Sequence, residues 1–100
     1  MQRQVAYLST AEADLDALED RLVQRAGSLV AGRWINRILQ RIDLIALLPN
    51  MGRAQGAIDD IQLRASVVKP WAIIYEYREA ENLIVIHRIV DTRRDLQSIL

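Results

Sequence analysis

The spacing of apolar residues predicts a strand and a helix at the start of the chain. Gln4 to Leu8 (QVAYL) has the composition of a short strand, and Ser9 and Glu12 then show the S-x-x-E spacing of a helix capping box. Apolar residues follow at intervals of three and four positions, which places them on one face of a helix: Ala11, Leu15, Leu18, Leu22 and Ala26. Gly27 is predicted to end this helix.

A second amphipathic helix is predicted from about Leu29 to Leu48, where Pro49 ends it. One face carries the residues that should enter the core: Ala31, Ile35, Ile38, Ile42 and Ile45. Three arginines lie on roughly the opposite side: Arg33, Arg37 and Arg41. Because the connection between the two helices is short, we expect them to pack as an antiparallel hairpin.

The second half of the chain has the pattern of three consecutive strands. Loop signals from Pro49 to Arg53 and at Gly56 precede an alternating apolar and polar stretch from Ile61 to Val67. Strands are also predicted from Trp71 to Arg78 and from Leu83 to Val90, and a last helical turn from Asp95 to Leu100. Short loops between the strands favour an antiparallel meander.

The predicted fold class is therefore α+β with the order β-α-α-β-β-β. The antiparallel helical hairpin should pack on one face of a small antiparallel sheet, and a short C-terminal tail should follow. The 100 residues are enough for one domain, which we assign to residues 1–100. The sequence contains neither an apolar run long enough to cross a bilayer nor the apolar core of a signal peptide, so we expect a cytoplasmic protein.

Charge and composition argue against several classes of function. Thirteen cationic residues balance thirteen acidic ones, which disfavours a surface that gathers nucleic acid through net positive charge. The chain has no cysteine and one histidine, so neither a disulfide framework nor a histidine-rich metal site is expected, and no cofactor is predicted. Twelve of the thirteen cationic residues are arginine, which suits forked contacts with carboxylate or phosphate but can also reflect genome composition.

The second helix is more apolar than packing against one neighbour requires. Leu44 and Leu47 fall on the same side as the arginines, and Trp34 lies at the edge of the core face. A cluster of exposed apolar residues on a small domain often marks a partner site, whereas single ones need no explanation. Both interpretations stay open from this pattern alone.

His87 is the one side chain suited to general base catalysis near neutral pH. A catalytic role would pair it with a carboxylate such as Glu76 or Asp91 and would use Arg88 or Arg94 to stabilise an anion. Against this, alternation along its strand places His87 on the same face as apolar neighbours, including Ile89, and opposite Arg88. We therefore favour a structural histidine.

Four strings of the sequence carry a resemblance to a known family: STAEADLDAL (Ser9 to Leu18), LLPNMGR (Leu47 to Arg53), LRASVVKPWAIIYEYR (Leu63 to Arg78) and HRIVDTRRDL (His87 to Leu96). Together they resemble the ParE branch of the RelE/ParE toxins of bacterial toxin–antitoxin systems, once labelled plasmid stabilisation proteins. The resemblance covers nearly the whole chain in the expected order.

The resemblance implies a toxin that is neutralised by a cognate antitoxin from the same operon, whose C-terminal segment wraps the helices and the sheet. It also implies one of two targets. The ParE branch inhibits DNA gyrase without catalysis, whereas the RelE branch is a ribosome-dependent mRNA endonuclease. Because the two branches share a fold, fold alone does not choose between them.

Individual positions favour the gyrase inhibitor. Arg94 matches a late catalytic arginine of the RelE branch, but the position of that branch's late tyrosine is occupied by Leu100. The loop lysines of that branch have no counterpart near Arg53. Asp91 stands where many ParE relatives carry histidine, with His87 four positions earlier, so no role is transferred to the histidine. A near-neutral charge suits a protein target better than RNA.

Two sets of binding residues are predicted from these considerations. The antitoxin should contact the outer side of the second helix: Trp34, Arg33, Arg37, Arg41, Leu44, Leu47 and Leu48. The target, DNA gyrase, should contact arginines at and beyond the strand ends: Arg53, Arg64, Arg88, Arg93 and Arg94. In the alternative interpretation, both sets of arginines form a solvated face or internal ion pairs. Neither membrane binding nor sequence-specific nucleic-acid binding is expected.

Overall fold

The computed structural model describes residues 3–93 and has an α+β fold. Its elements are β1 (Gln4–Tyr7), α1 (Ser9–Leu47), β2 (Arg53–Ile58), β3 (Ile61–Val68), β4 (Trp71–Arg78), a 3-10 turn (Glu79–Glu81) and β5 (Leu83–Asp91). The five strands form one sheet in the order β1-β5-β4-β3-β2. The predicted class is confirmed. Arg94 and the predicted helical turn from Asp95 to Leu100 lie outside the described residues.

Helix α1 reverses direction at Gly27, as the predicted helical hairpin requires. Gly27 has φ 85° and ψ 167°, a conformation that glycine adopts without the clash of a Cβ atom. A straight helix of this length would span about 58 Å, yet the longest dimension of the molecule is 41 Å. The helix starts directly after β1, and Arg3 before β1 donates to the carbonyls of Ala46 and Leu47 at its end. Both ends of α1 therefore lie beside β1.

Strand β2 was not expected from the sequence, because loop signals run from Pro49 through Gly56. In the structure, residues 53–58 pair antiparallel with β3, and Gly56 marks a shift in register at φ 101° rather than a loop. All six residues of β2 are exposed, so no alternation of buried and exposed positions announces the strand. The turn at Asp59 and Asp60, with φ of 50° and 67°, closes a two-residue hairpin.

Strand β1 makes the sheet mixed rather than wholly antiparallel. It pairs in parallel with β5, from Gln4 opposite Leu83 to Tyr7 opposite Ile86. The other neighbouring strands pair antiparallel, which confirms the predicted meander of β3, β4 and β5. The prediction of a wholly antiparallel sheet was wrong because a four-residue strand gives no sign of its direction or its partner.

The main core lies between α1 and one face of the sheet. Its most buried side chains come from the second half of α1 and from β4 and β5: Ile38, Ile42, Ile45, Ile73, Tyr75, Ile84 and Ile86. The opposite face, here called the far face, carries a smaller buried cluster of Ala72, Ile74 and Val90, against which Leu63 and Ala65 pack. Among residues 3–93, no helix is long and apolar enough to cross a membrane.

Candidate functional site

The predicted antitoxin-binding residues lie along one side of the second half of α1. Trp34 packs edge-on against Trp71 of the sheet, with ring centroids 5.3 Å apart. The guanidinium of Arg37 lies over the Trp34 ring at 4.7 Å from its centroid, which is the geometry of a cation–π contact. Trp34 thus contacts the core through one side and holds Arg37 through its ring face.

Arg41 bridges α1 and the sheet. One of its terminal nitrogens donates to Ser66 Oγ at 3.0 Å and to the Val67 carbonyl at 2.9 Å. Next to it lies a depression of about 380 Å³ between α1 and β3, lined by Arg37, Gln40, Arg41, Leu44 and Val68. Two of the predicted arginines and one predicted leucine therefore line a single concave surface.

Three exposed leucines continue this surface to the end of α1. Leu44 is 38% exposed, and Leu47 and Leu48 are each 56% exposed. Arg33 lies one helical turn before Arg37 and is also exposed. We call Leu44, Leu47 and Leu48 the leucine patch. It presents apolar surface beside fixed cationic groups.

The loop after α1 is fastened by a pair that the sequence analysis missed. Tyr75 is fully buried, and its hydroxyl donates to the Pro49 carbonyl at 2.8 Å and accepts from the Gly52 amide at 2.9 Å. Burial raises the pKa of Tyr75. A Cβ atom on Gly52 would lie 2.6 Å from that hydroxyl, so this position requires glycine. The string LLPNMGR, which contains Gly52, pointed to this loop in the sequence. The contact with Tyr75 that explains the glycine is visible only in the structure.

Of the predicted target-binding arginines, Arg64 and Arg53 lie beside this loop. Arg64 donates to the Gly52 carbonyl at 2.8 Å and to the Asn50 carbonyl at 3.4 Å, so it holds the loop. Arg53 is exposed at the start of β2. Among residues 3–93, no ion pair joins Arg53 to a carboxylate.

Arg88 takes part in closing an edge of the sheet. Its guanidinium donates two hydrogen bonds to the Asp14 carboxylate, at 2.7 and 3.1 Å. The same carboxylate accepts a hydrogen bond from the Ile89 amide at 2.9 Å. In addition, Thr10 donates to the His87 carbonyl at 2.8 Å. The first turns of α1 thus cover the part of β5 that extends beyond β1, where an open edge would otherwise expose backbone groups.

Arg93 pairs with a buried carboxylate. Asp91 is 6% exposed, and its oxygens accept from the Arg93 guanidinium at 2.9 and 3.1 Å and from the Arg93 amide at 2.9 Å. The hydrogen bond to Asp91 raises the pKa of Arg93. The structure therefore gives Arg64, Arg88 and Arg93 internal partners on separate elements and does not gather them into one site.

His87 sits at a bulge in β5 and binds Glu76. Ile74 pairs with Arg88 while Tyr75 pairs with Ile86, so His87 is an extra residue in its strand. Its Nε2 lies 2.8 Å from Glu76 Oε1, which also accepts from Arg78 at 3.2 Å. Of the two carboxylates considered from the sequence, the structure selects Glu76.

The bulge also corrects the expected alternation. Ile89 belongs to the core beneath α1, whereas Glu76, the partner of His87, stands opposite Val85 on the far face. His87 and Ile89 therefore do not share a face, contrary to the prediction. Arg88 binds Asp14 of α1, whereas His87 binds Glu76 of β4. The two residues are adjacent in sequence but contact different elements.

The Glu76 carboxylate is held in its ionised form. Burial raises its pKa, but hydrogen bonds from Arg78 and His87 together with their charges act more strongly, and the net result is a lowered pKa. A carboxylate only accepts hydrogen bonds, so His87 Nε2 carries the proton in this pair. In the neutral ring, His87 Nδ1 is then a hydrogen-bond acceptor.

This pair predicts a measurable loss of stability in acid. The pKa of Glu76 is 4.5 in the unfolded chain and lower in the folded protein. The ionised carboxylate therefore stabilises the fold fully at pH values above 4.5, and this stabilisation is lost as the pH falls through the folded-state pKa. Glu76→Gln should cost about 2 kcal/mol at pH 7, and its difference from wild type should shrink as pH falls below the unfolded-state value. Thermal melting followed by circular dichroism between pH 7 and pH 3 measures this.

The matched control for that experiment is Glu79→Gln, which removes an exposed carboxylate from the following turn. It should melt within a degree or two of wild type across the pH range, since a single exposed charge contributes little. A Glu76→Gln variant as stable as wild type at pH 7 would contradict the assigned role of the pair.

The fold is shared with solved toxin–antitoxin proteins. It matches a chain of the chromosomal ParDE toxin–antitoxin system from P. aeruginosa with a TM-score of 0.70 and 20% identity, over 90% of this chain and 96% of that one. It matches a chain of the toxin–antitoxin complex RelBE2 from Mycobacterium tuberculosis with a TM-score of 0.66 and 14% identity, over 91% and 99% of the two chains. At these identities the likeness establishes the fold.

The family follows from the sequence. Residues 5–96 match the family described as ParE toxin of type II toxin-antitoxin system, parDE. Since this match covers most of the chain, the protein belongs to the ParE toxin family, and the resemblance predicted from the four strings is confirmed. No curated protein sequence matches the chain.

Proposed function

We propose that this ParE-family toxin is neutralised by an antitoxin encoded beside it and that, when free, it inhibits DNA gyrase in the cytoplasm without catalysing a reaction. Family membership supports the toxin role. The antitoxin partner is proposed by analogy with the ParDE system and the RelBE2 complex, whose chains share this fold. The choice of gyrase rests on the arrangement of the candidate catalytic groups.

The proposed antitoxin surface has two parts. One is the depression between α1 and β3 that contains Arg37 and Arg41, here called the arginine-lined depression, and the other is the leucine patch. Arg37 is held by the Trp34 ring and Arg41 by two bonds to β3, so both guanidinium groups are already ordered. An ordered guanidinium loses less conformational entropy when it binds a carboxylate. The partner segment that fits is an amphipathic helix with apolar residues against the leucine patch and acidic residues facing Arg37 and Arg41.

The observation that carries the gyrase proposal is made on residues 3–93, where the groups considered for an RNA-cleaving site are bound to separate partners; Arg94 lies outside these residues. His87 is bound to Glu76, whereas Arg88 is bound to Asp14 and Arg93 to Asp91. A general base and an anion-stabilising arginine have to converge on one reacting group. Together with a net charge of zero, this arrangement supports a protein target. Arg53, at the start of β2, is the strongest remaining target-binding candidate among residues 3–93.

Assays on the purified protein distinguish a ParE-type gyrase inhibitor from a RelE-type endonuclease. We expect it to inhibit DNA supercoiling by gyrase and to leave ribosome-bound mRNA uncut. Induced expression in cells should correspondingly produce filaments and a DNA-damage response. Cleavage of ribosome-bound mRNA with uninhibited gyrase would overturn the proposal in favour of the RelE-type endonuclease, and normal growth with neither activity would indicate a chain that only binds its partner.

A pair of arginine variants serves as the internal control for this assay. Arg53→Ala should weaken gyrase inhibition about tenfold, which corresponds to roughly 1.4 kcal/mol of binding. Arg25→Ala changes an exposed arginine near the reversal of α1 and should leave inhibition unchanged. Equal inhibition by both variants would remove Arg53 from the target surface.

A further inference from the structure

A second depression lies on the far face of the sheet, at the end of the β2–β3 hairpin. It has a volume of about 240 Å³ and is lined by Ile58, Asp59, Ile61, Leu63 and His87. We call it the His87 pocket. Leu63 packs against the far-face cluster, whereas the arginine-lined depression lies on the side of α1. The two depressions therefore open on opposite faces of the sheet.

The walls of the His87 pocket are aliphatic. Ile58 is 63% exposed, although it is a large apolar residue, and Ile61 and Leu63 are partly buried beside it. Sites for drug-sized molecules and cofactors usually have volumes of roughly 300–1,000 Å³. At about 240 Å³, the His87 pocket is better matched to one long side chain.

The polar groups of the pocket accept hydrogen bonds. Asp59 supplies a carboxylate and is held at the rim by the two-residue turn, with φ 50°. His87 Nε2 is committed to Glu76, and in the neutral form of the ring Nδ1 is then an acceptor. A ligand that satisfies both groups must be a hydrogen-bond donor, and one that also neutralises Asp59 must be cationic.

The charge at this end of the sheet favours the same ligand. Strands β2 and β4 run in the same direction, so the turns that follow them lie at one end. These turns carry four carboxylates, namely Asp59, Asp60, Glu79 and Glu81. Two cations are described at this end: Arg78 is already paired with Glu76 and Glu81, and Arg3 lies over the Tyr77 ring and donates to the end of α1. A chain of zero net charge therefore has an acidic end that attracts cations.

We propose that the His87 pocket binds a lysine or arginine side chain from a basic segment of a protein partner. The aliphatic part of that side chain lies along Ile58, Ile61 and Leu63, and its charged end donates to Asp59 and His87. Long basic side chains commonly bury their methylene groups against apolar surface while their charge meets a polar rim. This inference is independent of the antitoxin surface, which faces the opposite way and fits an acidic segment.

The single histidine of the chain makes the proposal testable by NMR. The imidazole ring signals of His87 can be followed at pH 8 during titration with Nα-acetyl-lysine methylamide. We expect a saturable shift with a dissociation constant in the millimolar range, as befits one side chain. Nα-acetyl-norleucine methylamide, which keeps the aliphatic stem and lacks the charge, should bind at least fivefold more weakly. The corresponding glutamate derivative should produce no saturable shift.

Two neighbouring variants locate the charge that matters. Asp59→Asn should weaken lysine binding at least fivefold, whereas Asp60→Asn should stay within twofold of wild type. Both positions have positive φ, which asparagine tolerates, so both variants are expected to fold. No saturable shift, equal binding of lysine and norleucine, or unchanged affinity in Asp59→Asn would overturn the proposal. A His87 shift that depends on protein concentration alone would also overturn it, because a second copy of the chain would then occupy the pocket.

Discussion

Replacing Gly52 with alanine is expected to destabilise the fold by about 3 kcal/mol or more. The added Cβ would meet the Tyr75 hydroxyl at 2.6 Å, the Tyr75 ring at 2.8 Å and the Ala65 carbonyl at 3.0 Å. Two of these atoms belong to a fully buried ring and one to a strand, so none can move freely. Overpacking costs about 1–3 kcal/mol, and breaking the hydrogen bonds of a buried hydroxyl adds about 1–3 kcal/mol. Urea unfolding of both proteins measures the difference.

Gly32→Ala is the matched control within the same chain. A Cβ atom at Gly32 meets no other atom within 4 Å, and the residue lies inside α1. Alanine is favoured over glycine in a helix by up to about 1 kcal/mol, so this variant should be as stable as wild type or slightly more stable. If Gly52→Ala unfolded at the same urea concentration as Gly32→Ala, the Tyr75 contact would not fasten the loop.

Acidic substitutions in the leucine patch are expected to abolish tight antitoxin binding. Leu44→Asp combined with Leu47→Asp replaces the proposed apolar contacts with two charges next to the acidic residues proposed for the antitoxin. We expect the dissociation constant to rise at least about 100-fold, equivalent to roughly 2.8 kcal/mol. The size of the effect follows from losing central apolar contacts and placing like charges together. Calorimetric titration with the cognate antitoxin measures the loss.

The control for this prediction uses exposed apolar residues near the reversal of α1. Val23→Asp combined with Leu29→Asp changes side chains that are also exposed, at 42% and 71%. This variant should bind the antitoxin as wild type does, and both double variants should keep the circular dichroism spectrum of the folded protein. Unchanged affinity after substitution of Leu44 and Leu47 would remove the leucine patch from the interface.

The order of elements was predictable because apolar residues recur at a regular spacing along helices and half-buried strands. The positions of Ile35, Ile38, Ile42 and Ile45 announce a helix face, and all four are buried. Strand β2 left no such period, since its whole length is exposed. The parallel direction of β1 and the bulge at His87 were also unpredictable, because each depends on strand pairing between distant parts of the chain.

The side of α1 on which the candidate antitoxin-binding residues lie was predictable from the sequence, but their contacts were not. Spacing along α1 predicted that Arg37, Arg41 and Leu44 share one side of the helix, and in the structure all three line one depression. It could not show that Arg41 would reach β3 or that Arg88 would bind Asp14, 74 positions away. Arginine has a long side chain, so its partner is decided by tertiary structure. The assignments to antitoxin and target remain predictions for the experiments above.

The pairing of β1 with β5 constrains when the toxin can fold during synthesis. Residues 4–7 form their strand contacts with residues 83–86, and Asp14 binds Arg88. Contacts between such distant positions require closure of a long stretch of chain, which slows folding. Because β5 lies between β1 and β4, a nascent chain that lacks it cannot join its first strand to the rest of the sheet. A ribosome must therefore translate the chain as far as β5 before the complete toxin fold can form.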